Sequence, residues 1–126
     1  MSPTSRRHPT PEEARGGEVI KGTLDLLILR TLHVGPMHGW GITELIESGS
    51  DNLLSVNQGS LYPALYRLVR KGLLRSKWRQ TENNRRARYY ELTAAGREAL
   101  GHERATWERL SRGVNLVLAG GPECEL

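Results

Sequence analysis

Side chains able to carry chemistry are unevenly spread along these 126 residues. Between Asn57 and Tyr90 stand nine basic residues, Arg67, Arg70, Lys71, Arg75, Lys77, Arg79, Arg85, Arg86 and Arg88, against the single acid Glu82, so the stretch carries +8. The rest of the chain has nine basic and thirteen acidic residues and sums to −4, which hides the block inside a net charge of only +4. Fifteen of the 18 cations are Arg, whose planar fork donates in pairs to phosphate oxygens and guanine edges. The gathering of charge, rather than its sum, points to an anionic partner.

Other chemistries find less support. His33 and His38 flank Gly35-Pro36, but a metal would need further ligands in fixed geometry, and His8 and His102 read as surface residues. Ser60, His38 and Asp25 occur without a nucleophile elbow or a phosphate-cradling glycine loop around them. No cofactor is expected and an enzyme is disfavoured by size as well as by motif. The single cysteine, Cys124, excludes an internal disulfide framework and a four-cysteine zinc site, fits a reducing compartment, and is a weak redox-sensor candidate. The longest mostly apolar run, Leu24 to Leu32, is broken by Asp25 and Arg30 and is far short of the roughly 20 residues of a membrane span. No secretory apolar segment precedes Lys21, so the expectation is a soluble cytoplasmic protein without a membrane partner.

The elements that must position the basic block follow from periodicity. A length of 126 residues and an apolar fraction of 37% allow one domain with a modest core. Residues 1–18, with three prolines and almost no apolar side chains, read as a disordered arm. Leu24, Leu27, Ile28 and Leu32 recur at helical spacing and predict a first helix from about Gly22 to His33, stopped by Gly35-Pro36. A second helix, from about Gly39 or Gly41 to Glu47, turns Ile42, Leu45 and Ile46 inward and ends at the Ser48–Asn52 cluster. Asn57 caps a third helix with a buried stripe of Leu61, Leu65, Leu68 and Val69, Pro63 early in it, and Gly72 just beyond its end.

From Leu73 the period switches to two. Leu74, Ser76, Trp78 and Gln80 share one side of a strand and Arg75, Lys77, Arg79 and Thr81 the other. The polar tip Glu82 to Arg86 leads into a second strand, Ala87 to Leu92, completing a β-hairpin. Thr93 then caps a long last helix over 93–119, followed by a flexible tail over 120–126.

Three helices, a hairpin and a long helix, with the basic block confined to the third helix and the hairpin, form the layout of a winged helix-turn-helix over residues 19–92. The fold class is thus mainly α with a small β-hairpin, plus a C-terminal dimerisation helix. In this layout the third helix enters a major groove about 12 Å wide, and the hairpin lies as a wing along the neighbouring backbone or minor groove. Burying the leucine stripe leaves Gln58, Ser60, Pro63, Arg67 and Arg70 on other faces of the helix, with Tyr62 at a flank. Gln58 and Ser60 are placed to reach base edges. On the wing, Asn83, Asn84, Arg85 and Arg86 suit a turn that probes a narrow, negative minor groove, while Arg75, Lys77, Arg79 and Arg88 are expected to track phosphates.

Four segments, Gly22 to Leu29, Gly35 to Ile42, Gly59 to Leu65 and Arg85 to Thr93, resemble the PadR family of bacterial transcriptional regulators. The resemblance covers roughly Lys21 to Leu100, and the pairing of Ser-Leu-Tyr-Pro-Ala-Leu with a Tyr-Tyr-x-Leu-Thr strand end is its most specific part. It implies a homodimeric winged-helix repressor that releases its operator on binding an inducer. By position, Ser60 and Tyr62 would match the family's recognition-helix contacts, with the Tyr62 hydroxyl on a phosphate, and Arg85 and Arg86 its wing tip. Trp40 departs from the family's more usual Tyr, and the short segment after Leu100 points to the compact subgroup.

The last helix is the expected dimer element. Leu100, Trp107 and Val114 repeat every seven residues, Leu110 and Val117 add an offset series, and Glu103 interrupts it. Such a stripe would leave an apolar patch exposed on a small monomer, so Leu100, Trp107, Leu110, Val114 and Val117, with Leu24 of the first helix, are the candidate interface. Packing of the stripe on the first helix of its own chain is the alternative, and both can hold together. Trp107 reads either as the anchor of this interface or as a clamp, with its symmetry mate, for a small aromatic inducer. Double-stranded operator DNA is the favoured partner; a protein or structured RNA bound through the same basic face is the other reading.

Overall fold

The computed structural model describes residues 21–120. Helix α1 (Lys21–Val34) leads into a short strand β1 (Met37–His38) and helix α2 (Gly39–Gly49); helix α3 (Gln58–Arg70) is followed by strands β2 (Leu74–Gln80) and β3 (Arg86–Leu92) and the long helix α4 (Ala94–Leu118). The arm expected over residues 1–18, the end of the expected tail and Cys124 lie outside the described residues.

Helix α1 is the hub. Leu24, Ile28, Leu29 and Leu32 are buried and Leu26 and Leu27 half-buried, because α2, α3, α4 and β3 all pack around it. Leu29, absent from the predicted stripe, is as buried as the rest for this reason. Leu24 is only 3% exposed inside its own protomer, which removes it from the candidate dimer interface: it has no surface to give to a partner. Leu100 is corrected likewise, since the first turns of α4 pack on α1 and leave it 7% exposed.

In α2 the buried stripe is Gly39, Ile42, Thr43 and Ile46, and Leu45, expected inward, sits at its margin with 41% exposure. In α3 the stripe is Leu61, Ala64, Leu65 and Leu68, with Val69 only half-buried. Pro63 is the sixth residue of this helix, past the first turn in which a missing N–H is harmless, and the carbonyl it leaves without an intrahelical partner belongs to exposed Gly59.

Turns and caps fix the order of the elements. Gly72 adopts φ +78° at the end of α3, and the Leu73 amide donates to the Leu68 carbonyl at 3.0 Å, closing a Schellman turn. Thr93 then joins three elements: its hydroxyl donates to the Gly72 carbonyl (2.7 Å) and accepts from the Gly96 amide (3.0 Å), and its amide donates to the Leu73 carbonyl (3.1 Å). Gly96 is required by that close approach, because a Cβ there would lie 2.1 Å from the Leu73 carbonyl oxygen.

The hairpin is extended by β1 into an antiparallel sheet of order β1-β3-β2. A two-residue strand carries too little pattern to be read from periodicity, and Met37-His38 registers in sequence only as the residues after a helix stop. His38 has a second task, since its Nδ1 caps α2 by accepting from the Gly41 amide at 3.0 Å.

Candidate nucleic-acid interface

The exposed side of α3 starts from its cap. Asn57 accepts from the Gly59 amide at 2.6 Å, and Gln58, in the first turn, donates from Nε2 to the hydroxyl of buried Thr43 at 2.9 Å. Gln58 is therefore already committed in part to holding α3 against α2. Ser60, Tyr62, Pro63 and Arg70 are exposed along the same helix. The Tyr62 ring covers Gly39, where a Cβ would come within 2.5 Å of its hydroxyl, so the ring closes over the start of α2. Arg70 lies over exposed Tyr66, 5.7 Å from the ring centroid.

Arg67 is placed otherwise than expected. Its guanidinium makes a 2.6 Å charged hydrogen bond to Asp25 of α1, with the two side chains only 30% and 19% exposed. A partly desolvated pair of this kind holds α3 to α1, so Arg67, a DNA-binding candidate from sequence, is instead engaged within the protomer.

The wing closes through the three residues Glu82, Asn83 and Asn84. Thr81 donates its amide to the Arg85 carbonyl (2.6 Å), and Asn84 donates its amide to the Thr81 carbonyl (3.0 Å). Asn84 takes the left-handed φ of +64° that such a loop needs at its last position, and its side-chain oxygen accepts from Gln80 at 2.5 Å. Its part is to shape the tip, whereas Asn83, Arg85 and Arg86 are exposed on it.

Strand register divides the wing cations between two faces. Trp78 pairs with Arg88 and Gln80 with Arg86, on the face that becomes core at Leu74, Tyr90 and Leu92. Lys77 pairs with Tyr89 and Arg79 with Ala87 on the opposite, solvent face, where Arg75 bonds Glu91 at 3.1 Å and Arg79 lies 4.7 Å over Tyr89. Lys77 and Arg79 thus do not join Arg86 and Arg88.

The inner face looks across a groove of 530 Å³ toward α3 and the start of α2. Its walls include Tyr62, Asn83, Arg85, Arg86 and Arg88, candidate DNA contacts in the sequence reading, together with Trp40 and Trp78, which were not among those candidates. No carboxylate lines it. Tyr90 forms part of the floor; burial raises its phenol above the ordinary value of 10.0, and Arg88 partly offsets this, so it is a neutral hydrogen-bonding group at physiological pH. Trp78 could have been placed only by knowing the hairpin register that sets it opposite Arg88.

From Gly101 to Leu118 no residue of α4 is buried and only Ser111 is half-buried. Trp107, Leu110, Val114 and Val117 are 44–64% exposed on this part of the helix, alongside a shallow apolar groove of 620 Å³. The alternative packing of the stripe on its own first helix therefore holds for Leu100 and stops there. Among the described residues no cluster of His, Cys, Asp or Glu could hold a metal ion, and no helix is long and apolar enough to cross a membrane.

The model of the transcriptional regulator PadR-like family matches residues 28–102. A transcriptional regulator of Mycobacterium tuberculosis is 38% identical over 98 residues, which cover 77% of this chain and 87% of that protein. Among solved structures, a PadR-like transcription factor from Bacteroides fragilis is 33% identical with a TM-score of 0.62, covering 77% of this chain and 91% of its own. A transcriptional regulator from Clostridium thermocellum is 29% identical with a TM-score of 0.69, covering 76% and 93%.

Proposed function

The chain belongs to the PadR-like family of transcriptional regulators, which are not enzymes, and from that premise we propose that it is a homodimeric repressor binding a palindromic DNA operator. The observation that carries this reading is the groove between wing and α3. Tyr62 on one side faces Arg85, Arg86 and Arg88 on the other, with no acid between them, and the exposed first turns of α3 lie alongside.

In this arrangement α3 enters the major groove, with Ser60, Pro63 and the free side of Gln58 toward base edges and Arg70 toward the backbone. Tyr62, Asn83, Arg85, Arg86 and Arg88 grip the adjoining strand. Structured RNA is the poorer partner, because the deep, narrow major groove of an A-form helix does not admit a helix such as α3. As a PadR-like regulator acting on the genome, it would work in the cytoplasm.

Dimerisation follows from α4. Its free part, 18 residues at about 1.5 Å each, extends roughly 27 Å beyond the protomer core with an uncovered apolar stripe. Pairing two copies along Trp107, Leu110, Val114 and Val117 covers the stripe and sets two α3 helices for half-sites about 34 Å apart. Trp107 is the anchor of that pairing; quenching of its emission by small aromatic compounds would give it the further role of holding an inducer. The test of the DNA reading is competition: specific binding at moderate salt should survive a large excess of random duplex, and complete displacement by that excess would reduce the protein to a general polyanion binder.

A further inference from the structure

Trp78 stands in the middle of the basic groove at 53% exposure, and the contacts assigned so far give it no task. A large ring at a wing position that could as well hold Thr or Lys exposes apolar surface to water, so its neighbours matter. The Arg86 guanidinium lies 5.3 Å from its ring centroid and that of Arg88 5.6 Å. Arg88 is held a second time, donating from Nε to the Ser76 hydroxyl at 3.1 Å. Two of the three groove arginines thus rest on one indole.

We propose that Trp78 is a positioning residue: its ring confines Arg86 and Arg88 in the orientation in which they receive one phosphodiester strand of the bound duplex in the groove. The proposal rests on the reading of this face as a DNA surface and names how the face is made ready. A guanidinium stacks through its flat face and donates hydrogen bonds in its plane, so contact with the indole leaves in-plane donors for phosphate oxygens. Each arginine loses rotamer freedom when it docks on a phosphate, and a ring that has already confined it removes part of that loss from the binding step. The strand is favoured over a small anion because the groove is open and continuous with the exposed side of α3, and because Tyr62 faces the arginines across it.

The experiment compares wild type with Trp78→Leu, Trp78→Tyr, the Arg86→Ala/Arg88→Ala pair, and the pair combined with Trp78→Leu, on a duplex enriched from a random pool, over a range of salt. Thermal unfolding establishes that each variant is folded. Trp78→Leu should weaken binding roughly five- to tenfold with the salt slope unchanged, since no charge is removed. Trp78→Tyr should recover most of the loss, and the arginine pair should lower the slope by about two. Added to the arginine pair, Trp78→Leu should change affinity less than about twofold, as expected of residues acting as one unit. Wild-type affinity in Trp78→Leu, a Tyr variant as weak as the Leu one, or a full further loss on the arginine background overturns the positioning role alone. Wild type that prefers no duplex overturns that role and the DNA reading together.

Discussion

Among single residues the sharpest division is between wing cations that face α3 and those that do not. Arg85 and Arg86 line the groove, whereas Lys77 and Arg79 point to solvent from the other side of the sheet. Replacing Arg85 or Arg86 by Ala should lower the slope of log affinity against log salt by about one each; the same change at Lys77 or Arg79 should leave the slope nearly untouched. Filter binding across a salt series separates the two groups. Gly96→Ala tests the junction of α4 with the β2 start, where a Cβ meets backbone rather than a movable side chain. It should cost about 1–3 kcal/mol by urea denaturation.

Tyr90 gives a pH dependence whose sign is fixed. Burial raises its pKa above 10.0 in the folded protein, against the opposing pull of Arg88, so the unfolded chain releases the proton first. The folded state then binds more protons than the unfolded state above about pH 10, and stability falls as pH rises through that range. Urea midpoints measured near neutrality and above about pH 10 should show the fall, and Tyr90→Phe should flatten it.

At the scale of elements, α4 is two things in one helix. Its first turns complete the protomer core through Leu100, and the remainder carries an uncovered apolar stripe. Leu24→Ala and Leu100→Ala should therefore destabilise the fold by about 2–5 kcal/mol. Leu110→Asp or Val114→Asp should leave helical content intact yet give a monomer in light scattering, with operator affinity down by more than roughly tenfold as the second half-site is lost.

The same helix shows what the sequence could and could not reveal. Heptad spacing marks every residue of the stripe, but spacing cannot say where a helix leaves its own core, so it does not separate Leu100, which the protomer buries, from the exposed residues after it. Caps were legible because one side chain decides each of them: Asn57, Gly72 and Thr93 all act where their types suggest. What depends on two segments meeting was not legible. Strand β1, the Arg67–Asp25 pair, the Gln58–Thr43 bond and the place of Trp78 opposite Arg88 each join residues distant in the chain.

For the whole molecule, the distribution of charge matters more than its sum. A net +4 would not by itself point to nucleic acid, but +8 between Asn57 and Tyr90 does. The fold distributes that block: inner-wing arginines line the groove, outer-wing cations lie on the opposite face of the sheet, Arg70 and Lys71 are exposed at the end of α3, and Arg67 ties α3 to the hub α1. Because α1 also packs on α4, the Arg67–Asp25 pair lies on a continuous path of packed elements from α4 to α3. The central claim, that two such protomers read a two-fold operator, is tested most directly by selecting bound sequences from a random pool of duplex DNA. The predicted result is enrichment of an inverted repeat with half-sites centred about one helical turn, roughly 34 Å, or a multiple of it apart. A pool that remains random after repeated rounds, or that converges on a single unrepeated site, would contradict it.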